Sequence, residues 1–156
     1  MATLKRRSVA CRRVKVTVRR KAKVPVHQAW PRLADLGALA KWAPDVSACK
    51  AETLRLGARR VAKLAKPAYG KQELVETVNA LRPQGFTYDI EGGIGPLEEI
   101  VTSWDLEAKG EACVVQVTSE VRLSRKLRFV KPLVWLAWRR QVGALAKGFA
   151  KYAAAP

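Results

Sequence analysis

Residues 128–152, RFVKPLVWLAWRRQVGALAKGFAKY, decide the fold. Val134, Trp138, Val142, Leu145, Phe149 and Tyr152 fall three or four apart, the stripe that one face of a long helix buries. Lys131, Arg139, Arg140, Lys147 and Lys151 mostly fill the other positions. Residues 132–138 are apolar all the way round. Either that stretch is buried on every side, or Trp135 and Leu136 project at a pocket rim or toward a membrane surface.

Working back from this helix, the chain is a series of short alternating segments. Val14, Val16 and Val18 alternate with Lys15, Thr17 and Arg19, which predicts a strand with one wet face over residues 14–19. Pro25 ends it, since proline removes a ladder donor. Val26, Trp30, Leu33 and Leu36 recur at helical spacing, with Pro31 expected in the first turns, where it is tolerated. A second short helix is expected over residues 38–42. Strands then read over residues 46–52, 58–65, 72–81, 86–91, 97–106 and 112–123, separated by turn-forming stretches such as Arg82-Pro83-Gln84-Gly85. Lys66-Pro67-Ala68-Tyr69-Gly70 and Gly92-Gly93-Ile94-Gly95-Pro96 read as loops. The order β-α-α-β6-α predicts an α+β fold: a curved antiparallel sheet of about seven strands around a long C-terminal helix. A single domain is expected over residues 14–152, with a basic segment at 1–13 free to be flexible and a tail at 153–156.

The chain has 156 residues, the size of one domain with a real core. No apolar run approaches the ~18 residues that span a bilayer, and residues 1–13 lack an apolar signal core, so a cytoplasmic location is expected. Cys11, Cys49 and Cys113 are widely spaced and odd in number, which fits reduced thiols better than a disulfide framework or a metal half-site. With one histidine, His27, expected exposed at a helix start, neither a nucleophilic triad nor a metal cluster can be assembled. No catalytic residue, metal or cofactor is therefore assigned.

Charge is the unusual quantity. Thirty basic residues against thirteen acidic give a net +17. Residues 1–23 carry ten cations and no acid, 55–71 carry six and none, and 122–151 carry nine and none. Such a surface is either a solvated basic face or one that attracts nucleic acid, anionic lipid headgroups or an acidic protein. Nucleic acid is disfavoured because the basic head has no aromatics and no reading motif. A peripheral anionic membrane contact is the better expectation, centred on residues 122–151.

The segments resemble the START-like superfamily, also called SRPBCC, and within it the polyketide cyclase/dehydrase branch. Val26-His27-Gln28-Ala29-Trp30, Leu33-Ala34-Asp35-Leu36 and Lys41-Trp42-Ala43-Pro44 carry the opening motif. Glu76, Tyr88-Asp89-Ile90-Glu91-Gly92-Gly93, the Trp104 strand and Pro132-Leu133-Val134 follow in order. The resemblance implies a helix-grip fold with a hydrophobic cavity between sheet and last helix. Relatives bind lipids, sterols, hormones or polyketides, and some cyclise or hydroxylate them. By similarity to the plant abscisic-acid receptors, two loops would gate the cavity, placing Pro67, Ala68, Gly93 and Pro96 at its mouth. The receptors' latch histidine is absent here, so that role is not carried over.

A ligand-holding carboxylate of those receptors lands nearest Glu73, or on Glu76 if the register slips by one hairpin step. The two lie on opposite strand faces, so at most one can point inward. Strand parity and the helix stripe add Tyr88, Ile90, Ile100, Thr102, Trp104, Val142 and Phe149 as expected cavity residues, although the same alternation also serves a packed core. Three functions are carried forward: binding, transport or sensing of a hydrophobic small molecule or lipid; a cyclase-like enzyme using Glu73 or Glu76 as acid and base; and a basic membrane- or nucleic-acid-binding module.

Overall fold

A computed structural model describes residues 12–156. The basic stretch before Arg12, with Cys11, lies outside the described residues. The elements are β1 (Arg13–Ala22), α1 (Val26–Ala34), a 3₁₀ turn at Leu36–Ala38, and α2 (Leu39–Trp42). There follow β2 (Val46–Ala51), β3 (Arg59–Ala68), β4 (Lys71–Arg82), β5 (Gly85–Ile90), β6 (Leu97–Lys109) and β7 (Ala112–Leu123). A 3₁₀ segment at Arg125–Val130 leads into α3 (Lys131–Ala154).

The seven strands form one antiparallel sheet in the order β1-β7-β6-β5-β4-β3-β2. Five of the six neighbouring pairs are consecutive in sequence, so tight hairpins build nearly the whole sheet. Only β1 joins out of sequence, beside β7, because the helices α1 and α2 carry the chain from one sheet edge to the other. Alternation sets the inner face. Val14, Val16 and Val18 of β1 are buried beside Val117, Ser119 and Val121 of β7. Ile100, Thr102, Trp104 and Leu106 of β6 continue that face, as do Phe86, Tyr88 and Ile90 of β5.

The long helix crosses this concave face. Val142, Ala146, Phe149 and Ala153 are its buried stripe. Gly148 permits a close crossing: a Cβ there would lie 2.3 Å from the Trp42 carbonyl oxygen. Phe149 packs edge-on against both Trp42 and Trp104, joining α3, α2 and β6 in one aromatic cluster.

Several expected boundaries shift. The last helix begins at Lys131 rather than Arg128, with Pro132 in its first turn, where its missing N–H has no intrahelical role. It runs to Ala154, so Ala153 is core rather than tail. Pro31 lies in the middle of α1 rather than in its first turns. Residues 66–70 are not a five-residue loop: β3 and β4 extend to a two-residue turn, Tyr69-Gly70, with Ala68 paired to Lys71.

The all-round apolar stretch is not buried on every side. Leu133 and Leu136 project outward, and Trp135 is partly exposed. The Trp135 indole donates to the Lys15 carbonyl (3.2 Å), and Arg139 donates to the Thr17 carbonyl (3.4 Å), both on β1.

Candidate functional site

The concave face and α3 do not fill the space between them. A cavity of about 670 Å³ remains, within the range of small-molecule sites. Its wall is mostly apolar: Leu39 and Trp42 from α2, Ala62, Leu64 and Leu74 from β3 and β4, and Val134, Val142 and Leu145 from α3. Of the residues expected from sequence, Tyr88, Ile90, Thr102, Trp104 and Val142 line it. Ile100 and Phe149 do not; both are fully enclosed by neighbours and belong to the packed core.

Glu73 is a correction. It is exposed on the outer face of β4, because odd positions of this strand point outward. Glu76 shares parity with Leu74 and Val78 and points inward, where it lines the cavity.

Beside it stands a residue that sequence reasoning missed. Arg60 faces Glu76 directly across the β3–β4 ladder, and the two form a buried ion pair at 4% and 6% exposure. Arg60 Nε and Nη2 both address Oε2 of Glu76. Among the described residues no side chain or backbone group donates to Oε1. The missed signal was parity, since Arg60 sits between Ala58 and Ala62, two buried positions of the same face. In a chain with thirty cations, one more arginine in a strand does not stand out.

The pair has a third partner. The Arg60 guanidinium lies 5.2 Å from the Tyr88 ring centre, a cation–π contact. Burial works against the Arg60 charge, but Glu76 and Tyr88 more than offset it, and its pKa rises. Burial pushes the Tyr88 phenol up to about 12; Glu76 adds to the rise, while Arg60 opposes it. Tyr88 therefore stays a neutral hydroxyl at every physiological pH. Because its folded pKa is raised, stability is intact below the unfolded tyrosine's value near 10 and falls as pH climbs toward 12. We expect Tyr88→Phe to lose about 2–3 kcal/mol less stability than wild type over that interval. Urea melts of both proteins at pH 9 and 12 measure the difference; parallel losses would contradict the assignment.

A second polar group sits on β6 and β7. Thr102 and Ser119 are cross-strand partners whose hydroxyls are hydrogen-bonded at 3.0 Å, and the Trp138 indole donates to Ser119 at 2.9 Å. This ties α3 to the sheet beside the cavity and satisfies the buried hydroxyls.

Of the four residues expected in gate loops, one lines the cavity. Ala68 lines the cavity, but Pro67 is exposed in β3, Gly93 is buried under the Leu97 and Glu98 carbonyls, and Pro96 accepts a hydrogen bond from Ser124 N. Tyr69, Ile94, Leu97 and Leu127 also line the cavity. Tyr69 has a positive φ of 48° yet is not glycine, and it is 71% exposed. Its ring rests on Gly95, where a Cβ would come within 2.4 Å of it. Lys71 Nζ donates to the Gly93 and Glu91 carbonyls at 2.7 and 3.2 Å. The two loops are thus tied together.

Cys49 and Cys113 are free thiols, both raised in pKa chiefly by burial, and His27 is exposed. Among the described residues no cluster of three or more metal-ligating side chains occurs. Among the described residues no helix is long and apolar enough to cross a membrane.

A seven-stranded antiparallel sheet curved around one long helix, with a cavity between them, defines the helix-grip class of the START-like superfamily. Residues 13–154 match the family described as polyketide cyclase/dehydrase and lipid transport, and the chain belongs to that family. No curated protein matches the sequence.

Among solved structures, the chain is similar to the Zhui aromatase/cyclase from Streptomyces, with 14% identity, TM-score 0.69, and coverage of 90% of this chain and 93% of that one. It is similar to norcoclaurine synthase from Thalictrum flavum in complex with dopamine and hydroxybenzaldehyde, at 12% identity and TM-score 0.68, covering 90% and 86%. The di-domain aromatase/cyclase StfQ of the steffimycin pathway aligns with TM-score 0.77 at 13% identity, covering 97% of this chain and 53% of that one. At these identities the likeness shows the fold.

Proposed function

We propose that this protein binds an apolar small molecule that carries one hydrogen-bond donor, with the donor directed to Glu76 Oε1. The observation that carries the reading is a mostly apolar cavity of about 670 Å³ with one carboxylate oxygen in its wall that has no donor among the described residues. An apolar body gains from leaving water, and the carboxylate gives it an orientation. Tyr88 and Thr102, on neighbouring strands, supply further polar contacts to a ligand's head.

Neutral Nile red is the first probe. We expect saturable uptake by the wild type, reduced at least about tenfold by Leu74→Trp, which adds bulk from a half-buried wall position. Competition by a long-chain alcohol against its methyl ether is the second. The alcohol should bind about tenfold more tightly, since a hydrogen bond to a charged group is worth roughly 1.5–3 kcal/mol. Equal competition would remove Glu76 from the reading, and an absence of uptake would remove the cavity.

A second reading rests on the same atom. A carboxylate oxygen without a donor, inside an apolar cavity, is also what a general base requires. Catalysis of a cyclase/dehydrase kind would then use Glu76 to take a proton from a carbonyl-activated carbon. Covalent change of a bound carbonyl probe, followed by mass spectrometry, separates catalysis from binding.

A further inference from the structure

Phe129, Val130, Leu133 and Leu136 are large apolar side chains at 78%, 38%, 67% and 42% exposure. All lie in the 3₁₀ segment before α3 or in its first two turns. This is the highest local concentration of exposed apolar side chains in the described residues, and it is not scattered as on an ordinary surface. Leu133 and Leu136 are three apart and share one helix face, next to Val134 and Ala137, which line the cavity. Trp135, nearly as exposed as Leu136, is held toward β1 by its bond to the Lys15 carbonyl. The corner therefore projects beside the cavity wall, with Phe129 and Leu133 the most exposed.

Its own residues are cationic without an acid, and Glu98 and Glu99 at the adjoining sheet end are paired with Arg122. Arg125, Lys126, Arg128, Lys131 and Arg140 flank it, and the sequence has no acidic residue after Glu120. None of these five has a carboxylate within ion-pair distance among the described residues. The Arg128 guanidinium lies 4.5 Å from the Phe129 ring centre, so charge and apolar surface are presented together.

From this coincidence we infer that the corner formed by residues 125–140 is a docking surface for an anionic lipid bilayer. The cations bring it to the headgroups, and Phe129, Leu133 and Leu136 enter the acyl boundary. Nucleic acid answers the charge but not the leucines, which have no flat face to offer an unstacked base. Docking in this pose would set Val134 and Ala137, which line the cavity, beside the membrane. The inference stands whether or not the cavity binds the ligand class proposed above.

The test is flotation with vesicles of phosphatidylcholine containing 30% phosphatidylglycerol, against vesicles of phosphatidylcholine alone, where the percentage is about what makes a bilayer clearly anionic. The wild type should bind the anionic vesicles at low salt and not the neutral ones. Arg128→Gln and Lys131→Gln should each weaken binding about fivefold. Phe129→Ser with Leu133→Ser, which leaves every charge in place, should weaken it at least about tenfold. Both side chains are exposed, so the double variant should keep its far-ultraviolet circular dichroism and melting temperature.

Unchanged vesicle binding by that variant would overturn the inference, as would equal binding to neutral vesicles or none at low salt. An oligonucleotide that displaces wild type and double variant equally, with the variant still vesicle-bound, would assign the surface to polyanions in general and overturn it as well.

Discussion

Arg60→Met should destabilise the fold by about 3–5 kcal/mol, the usual loss when a buried ion pair is broken from one side. Glu76 would then be held in an apolar wall, facing only neutral neighbours. Its partner across the ladder is the one cation within reach among the described residues, and both are nearly inaccessible to water. The double variant Arg60→Met with Glu76→Leu should recover most of the loss, because two apolar side chains replace two charges that had to be desolvated. It should also lose any preference for an alcohol over its methyl ether. Guanidinium unfolding midpoints of the two variants give the answer. A single variant within about 1 kcal/mol of wild type would mean that water reaches Glu76 freely.

Ending the chain at Val130 should abolish cooperative unfolding altogether. Removing α3 uncovers the inner face of β1 and β7 and leaves the aromatic cluster of Trp42 and Trp104 without Phe149. Each large apolar side chain contributes about 1.5–3 kcal/mol when fully buried, and the helix carries Val142 and Phe149 buried, with Val134, Trp138, Leu145 and Tyr152 partly so. A domain whose net stability is about 5–15 kcal/mol does not survive that loss. A sharp thermal transition in the shortened chain would show that the sheet supports itself.

The order of elements was legible because both periods are present in clear form. Val14, Val16 and Val18 announce a strand, and the stripe from Val134 to Tyr152 announces a helix. Parity also placed Tyr88, Ile90, Thr102 and Trp104 on the inner face of the sheet. Parity alone could not tell wall from core: Ile100 has the same alternation as Thr102 yet packs away from the cavity, which depends on how far α3 stands off the sheet.

Glu73 was misplaced because a register borrowed from distant relatives fixes a strand only to within a hairpin step, while Leu74 and Val78 on the same strand already marked Glu76 as inward. The turn at residues 66–70 looked long because of Pro67. That proline lies past the last β2 pair, Val46 with Leu64, and in an irregular stretch opposite β4, so no ladder hydrogen bond is required of it. Arg60 shows the general difficulty. A buried charge is recognisable once its partner is known, and the pairing of β3 with β4 is a property of the folded sheet.

The bonds from Trp135 and Arg139 to the Lys15 and Thr17 carbonyls bear on how the protein behaves in crowded solution. β1 is an edge strand, hydrogen-bonded only to β7, and an edge with vacant carbonyls can recruit a strand from another molecule. Here the first half of α3 occupies that edge while its second half seals the core. Fraying of the helix from its N-terminal end would thus expose a strand template before the core is breached. Self-association would begin from a nearly native state, and its rate would follow the opening of two turns of helix rather than global unfolding.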